Sequence, residues 1–238
     1  AQAGSRAEIT DTRKMYHFTE PSAATYEDDF STDTLTHRDS SKTSVSGGLF
    51  NWEIELDNSD DSAYVSTGSI SDSKFIVRFK YNTATESMVG NPGAFGKFCL
   101  SSTNTGDTNT FDWIGFQRYI GTASNSFSVA FGDNTSGNTG QTSFSTVPSS
   151  VSTYYIELIR DGSTVTANMY SDSSYSTLVE TQNVTLTGTI ENLSFFKFYN
   201  RANNSNSGQT MTGSIDDLII YSGVTAIPTG NTWEEEGT

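Results

Sequence analysis

The feature that most constrains this chain is a two-residue alternation of apolar and polar side chains, carried from Gly47 onward in short runs closed by Gly, Asn, Asp or Ser clusters. That period belongs to half-buried antiparallel strands. Trp52, Ile54 and Leu56 fall on one side of such a run, and Asn51, Glu53, Glu55 and Asp57 on the other. The next run sets Phe75, Val77, Phe79 and Tyr81 inward and Arg78 and Lys80 outward. Ile114 and Phe116 then read as core with Trp113 and Gln117 opposite, while Phe196 and Phe198 face in against Lys197, Tyr199 and Arg201. An apolar inner face repeated against a polar and aromatic outer face is the trace of two packed sheets. Between Thr153–Arg160 and Ser163–Tyr170, the dipeptide Asp161-Gly162 predicts a tight hairpin with two positive-φ positions.

Roughly a dozen such runs give the spacing of an all-β fold, a large antiparallel β-sandwich or jelly roll. Pro and Leu number only 4 and 9 against 35 Ser, 34 Thr and 20 Gly, so no window sustains a helical stripe. Long polar loops are expected at Asn82–Gly93, Ser101–Asn109, Gly132–Ser145 and Asn200–Gln209. Lys and Arg total 13 against 28 Asp and Glu, a net charge of −15. Binding nucleic acid or an anionic membrane needs clustered cations, so neither partner is expected. Apolar runs such as 218–221 fall far short of the roughly 20 residues of a membrane span. Cys99 is the only cysteine, which leaves no intramolecular disulfide.

The ends differ from the middle. Thr12–Phe18 is a short basic strand candidate and Asn231–Glu236 an acidic one with Trp233. The expected organisation is a flanking segment over 1–25, a domain over 26–223 and a second flank over 224–238. The flanks either pair with each other, plus against minus, or are weakly anchored tails.

Three segments carry a resemblance. YEDDFS at Tyr26–Ser31, YYIELIRDGSTVTANMYSD at Tyr154–Asp172 and GSIDDLIIYSG at Gly213–Gly223 resemble the concanavalin A-like, laminin-G-like jelly-roll superfamily. That superfamily holds lectins, carbohydrate-binding modules, glycosidases, lyases and structural modules, so the resemblance implies a fold more than a function. The flanking segments ITDTRKMYHF and GNTWEEEGT are similar to pieces around such domains in marine archaeal and viral surface or fibre proteins.

The resemblance implies that the first and last strands pair at one edge, where some members hold a structural Ca²⁺. Asp28 and Asp29, with Asp216 and Asp217, are therefore candidate ligands. Two acidic doublets brought together repel unless a cation joins them, and Ca²⁺ takes about six to eight oxygens. The other outcome is that alternate residues of each doublet point to opposite sides, one solvated and one capping a turn. A second acidic cluster, Asp57, Asp60 and Asp61, lacks the Gly and final Glu of a calcium loop.

Glu53, Glu55 and Asp57 share a strand face and resemble the Glu-x-Asp-x-Glu strand of laminarinase-type glycosidases, with two of the three identities changed. A solvated face balanced by Arg78 and Lys80 is the simpler reading. Ser5–Ile9 resembles the Arg motif of alginate lyases of this fold, but no Gln-x-His accompanies it, and His17 and His37 precede the main strands. No catalytic residue is expected. Trp113, Gln117, Lys197, Tyr199 and Arg201 would place rings beside amide and cationic groups on one outer face, the minimum for holding a glycan. Sequons stand at Asn134, Asn183, Asn192 and Asn203. The expected function is a non-catalytic extracellular recognition module on a cell or virion surface, with a glycan or cell-surface polysaccharide as partner. The rival is a purely architectural surface protein that oligomerises or joins a larger assembly through its flanks. A polysaccharide-active enzyme ranks third.

Overall fold

The alternating runs become strands. The structure is a computed structural model that describes residues 6–9, 14–19, 23–38, 40–55, 62–87, 94–105, 111–120, 125–149, 152–202, 210–227 and 232–235. Among these residues there are eighteen strands and no helix. In chain order they are β1 (Arg6–Ile9), β2 (Lys14–Thr19), β3 (Tyr26–Asp28), β4 (Thr36–His37), β5 (Thr43–Ser46), β6 (Leu49–Glu55), β7 (Ser62–Ser66), β8 (Lys74–Ser87) and β9 (Ala94–Ser101). They continue as β10 (Trp113–Ile120), β11 (Asn125–Gly132), β12 (Thr139–Ser143), β13 (Thr153–Asp161), β14 (Thr164–Tyr170), β15 (Leu178–Thr185), β16 (Phe195–Ala202), β17 (Thr210–Ser222) and β18 (Thr232–Glu235).

Two antiparallel sheets form the sandwich. One, here the β10 sheet, has the order β12-β11-β10-β9-β16-β7-β4. The other, the β8 sheet, runs β15-β14-β13-β8-β17-β6-β5, with β3 also paired to β17. β3 takes over from β6 on the same side of β17, since Ile215 faces Phe50 while Leu218 faces Asp28. YEDDF thus meets IDDLIIY, as the resemblance implies. The predicted hairpin forms one residue later than the sequence suggested. Asp161 pairs with Thr164, so Gly162 and Ser163 are the loop residues. Only Gly162 has a positive φ, at 61°, the pattern of a II′ turn rather than the I′ turn that Asp-Gly favours. The long loops are also shorter than expected: β8 runs on through Asn82–Ser87, and Thr139–Ser143 adds an edge strand to β11.

The inward sets are the core. Trp52, Ile54, Phe75, Val77, Phe79, Tyr81, Ile114, Phe116, Phe196 and Phe198 all belong to one buried cluster between the sheets. Aromatic rings carry much of it. Trp52 stacks on Tyr81 with centroids 5.7 Å apart, Phe98 on Phe198 at 5.0 Å and Phe116 on Phe127 at 5.3 Å. A cation sits among these side chains. Arg118 follows Phe116 in the inward parity and is fully buried, donating to the carbonyls of Ser126 and Pro148 and pairing with Glu86 at 3.6 Å.

The flanks pair with each other. β2 joins β1 on one side and β18 on the other, with Trp233 opposite Phe18 and Glu234 opposite His17, in a small antiparallel sheet.

Candidate functional site

Of the predicted glycan platform, the structure gives the sidedness but not the exposure. Trp113, Gln117, Lys197 and Tyr199 do stand on the outer face of the β10 sheet, in register across β10, β9 and β16. That face is covered. Trp113 is 2 % exposed, and Lys197 and Tyr199 are each 1 % exposed. Trp113 packs with Cys99, Phe111 and Ala130 in a second apolar cluster and lies against Gly132, where a Cβ would come within 2.2 Å of the indole nitrogen. Phe111 and Thr105, which lie outside the strands, supply cover. The Lys197 ammonium sits 4.1 Å from the Phe111 ring centre and donates to the Thr105 carbonyl, and the Lys97 ammonium sits 3.9 Å from the Trp113 ring centre. Burial drives the Cys99 thiol up to about 11, against the lowering effect of those two ammonium groups. Gln117 is half-buried and donates to Gln141, while the side chain of Arg201 lies outside the described residues. The expected stacking surface is corrected to a packed one.

The four aspartates meet at one edge, but not as one ligand set. Asp28 is turned inward. Its carboxylate accepts from the Phe30 amide at 2.8 Å, the Tyr26 hydroxyl at 2.9 Å and the Thr34 hydroxyl. Asp29, one residue on, is exposed and accepts from the Ser31 amide. The first doublet therefore splits as strand parity demands. The second does not. Between Asp216 and Ile219 the β17–β8 ladder slips, three steps in β17 against two from Lys80 to Arg78. The extra residue is Asp217, at φ 52°, which keeps both carboxyls off the core side while Leu218 is fully buried. Asp216 is then taken by Lys80, whose ammonium donates to it at 3.1 Å. Among the described residues no group of three or more acidic, His or Cys side chains is placed to hold a metal. In this structure Asp28 and Asp216 are each held by donors of their own.

Asp29 and Asp217 instead line an open recess that strand patterning alone did not find. Its wall is the outer face of the β8 sheet. There Asp216, Lys80, Tyr155 and Tyr170 form one cross-strand row, and Glu27, Ile219, Arg78, Glu157 and Asn168 the next. Arg78 grips the buried Glu157 carboxylate at 2.5 and 2.7 Å, and Asn168 and Tyr170 donate to its other oxygen. Tyr175 closes over this row from the loop after β14. Its ring lies 4.1 Å from the Arg78 guanidinium carbon and meets Tyr155 edge to face at 5.9 Å. One carboxylate shapes that loop. Asp172 accepts from the amides of Ser174, Ser176 and Thr177 and from the hydroxyls of Ser174 and Ser176. Tyr175 is thereby held at φ 55°, a conformation costly for a non-glycine residue.

The recess has a volume of about 260 Å³ and is lined by Tyr155, Tyr175, Ser173, Leu218 and Ile219 together with the acidic residues Glu27, Asp28, Asp29 and Asp217. Burial raises the Asp217 carboxyl above its ordinary value, and the charges of Asp216 and Asp29 add to the rise against the pull of Lys80. The signal that could have found Tyr175 is an Asp followed by two Ser and an aromatic, an Asx-turn signature that presents the next side chain.

The remaining expectations distribute widely. Glu53 pairs with Lys42 at 3.7 Å, not with Arg78 or Lys80, because β17 stands between β6 and β8 and claims Lys80 through Asp216. The side chain of Glu55 and all of Asp57, Asp60 and Asp61 lie outside the described residues, as does the Asn203 sequon. Asn134, Asn183 and Asn192 are exposed. The ring nitrogens of His37 contact Thr43 and Asp33, and the side chain of His17 lies outside the described residues.

No family model matches the chain, and no curated protein matches it. Solved structures do. The CBM2 module of the evolved Dit of Lactobacillus casei BL23 phage J-1 aligns with a TM-score of 0.55 at 11 % identity, over 87 % of this chain and 99 % of that one. The carbohydrate recognition domain of Emp47p aligns at 0.53 and 12 % identity, over 86 % and 98 %. The catalytic domain of an endo-1,3-β-glucanase (laminarinase) from Thermotoga petrophila RKU-1 aligns at 0.56 and 9 % identity, over 92 % and 100 %. What these proteins share with the chain is the fold, a jelly-roll β-sandwich of the concanavalin A-like kind.

Proposed function

We propose that the protein is a non-catalytic carbohydrate-recognition module that acts outside the cytoplasm, on a cell or virion surface and as part of a larger assembly, and that its sugar site is the recess of the β8 sheet. One observation carries this reading: two tyrosine rings set at 72° to each other share a recess with exposed hydroxyl and carboxylate groups. A pyranose offers a C–H face to a ring and hydroxyls to acceptors, so the chemistry matches. The carbohydrate-binding module and the recognition domain among the fold neighbours support the same class, while the laminarinase domain keeps the enzymatic reading in view.

A second reading has its own support. The sealed face of the β10 sheet, with Trp113 and Tyr199 packed away, suits an architectural module whose paired flanks join neighbours. A glycan array read with wild type and Tyr155→Ala separates the two. Binding by wild type that falls about tenfold in the variant is the expected outcome. Silence of both proteins across the array rejects the recognition reading and leaves the architectural one.

A further inference from the structure

We infer that the β8-sheet recess selects glycans that carry a free primary amine, an inference that rests on the glycan reading above and names the class of sugar. Four of its lining residues, Glu27, Asp28, Asp29 and Asp217, are acidic and none is basic. Asp28 is held by the Tyr26 and Thr34 hydroxyls and the Phe30 amide, which leaves Glu27, Asp29 and Asp217. The two nearby cations are committed elsewhere, Lys80 to Asp216 and Arg78 to Glu157. Among the described residues no ion pair involves Glu27, Asp29 or Asp217. A neutral sugar would leave this charge uncompensated. A uronate or sulfated sugar would add to it, and in a partly desolvated recess such repulsion is stronger than in bulk water. An ammonium on the sugar ring relieves it.

The walls fit the same ligand. At about 260 Å³ the recess is near the lower end of small-ligand pockets, roughly 300 Å³ and up, which is room for one ring rather than a run of them. Tyr155 and Tyr175 meet edge to face, so a ring stacked on one meets the rim of the other, and an ammonium near either face gains a cation–π contact. Arg78 already occupies one face of Tyr175, which fixes that ring. The Asp217 carboxyl is raised, by burial first and then by the charge of Asp216 and, against the pull of Lys80, that of Asp29.

The test is calorimetry with a β-1,4-linked glucosamine trimer, its fully N-acetylated counterpart, a neutral glucose trimer and a lysine-rich peptide. The glucosamine trimer should bind about tenfold more tightly than the acetylated one at low salt, with the gap closing at high salt. Asp217→Asn should shrink the gap, and Asp29→Asn, which leaves the bulge untouched, should do the same. Tyr155→Ala should weaken every sugar. Equal binding of both amino-sugar trimers overturns the amine selectivity and leaves the glycan reading standing. Failure of all three sugars removes that reading itself. Binding of the peptide as tightly as the glucosamine trimer overturns the inference in favour of a basic protein partner.

Discussion

The two outer faces of the sandwich were written in the same alphabet and ended in opposite states. On the β10 sheet, outward Trp113, Lys97, Lys197 and Tyr199 are all buried, with Phe111 packed on Trp113 and Lys197 and the Thr105 carbonyl over Lys197. On the β8 sheet, outward Tyr155, Lys80 and Asp217 remain open, and the covering loop contributes a single ring, Tyr175, that walls a recess instead of sealing it. Strand parity decides which way a side chain points, but the loops decide whether water or a ligand reaches it. An aromatic residue on an outer face therefore marks either a binding surface or a second core, and only the neighbouring connection tells them apart.

Trp113→Ala breaks the comparison most forcefully. If the β10 face is a second core, removing the indole from the cluster with Cys99, Phe111 and Ala130 leaves a cavity and costs about 3 to 5 kcal/mol, read by chemical denaturation. Folded Trp113→Ala should bind glycans like the wild type. Tyr155→Ala, at a half-buried position, should show the reverse, a stability change of about 1 kcal/mol and the larger loss in binding. A Trp113→Ala protein of unchanged stability that no longer binds would exchange the roles of the two faces.

Much of the fold was legible because alternation is a local signal with a fixed period. Every inward residue named for β8, β10 and β16 is buried. The edge where Tyr26–Asp28 meets Leu218–Ile220 was legible through resemblance alone, since no local rule pairs segments so far apart. Three features were not. The bulge at Asp217 breaks period two, and no residue type announces it when the strained position is Asp rather than Gly. Arg118 occupies an inward slot that the alternation assigns to apolar side chains, and it is tolerated there through carbonyl acceptors and Glu86 that come from other strands and loops. Tyr175 lies outside any strand, placed by the bonds to Asp172.

Asp216→Ala sharpens the reading of the shared edge. With Asp216 paired to Lys80, both partly exposed, the substitution should cost about 0.5 to 1 kcal/mol and lower the melting temperature by a few degrees. The drop should be the same in calcium and in chelator, because the loss is an ion pair. A deficit that appears only with calcium present would return Asp216 to the role of metal ligand, since a ligand stabilises the state that binds it.

Acid titration tests the contrast at its smallest scale, between carboxylates that hold the structure and those that line the recess. Burial alone would raise the Glu180 carboxyl, but bonds from the Ser145 and Thr146 amides, the Gln182 side chain and the Ser145 hydroxyl lower it from 4.5 to about 2. Its contribution is therefore complete above about 4.5 and is lost as the pH falls towards 2. Asp217 has the opposite sign. Its raised carboxyl costs stability while ionised, and that cost disappears as the pH falls through the raised value. Melting curves from neutral to acid pH should show Glu180→Gln losing less stability on acidification than the wild type. Asp217→Asn should be the more stable protein at neutral pH, with its advantage fading towards acid. A stability difference between Asp217→Asn and the wild type that does not change with pH would mean that the recess carries no crowded charge, and the reason for an amine-bearing ligand would go with it.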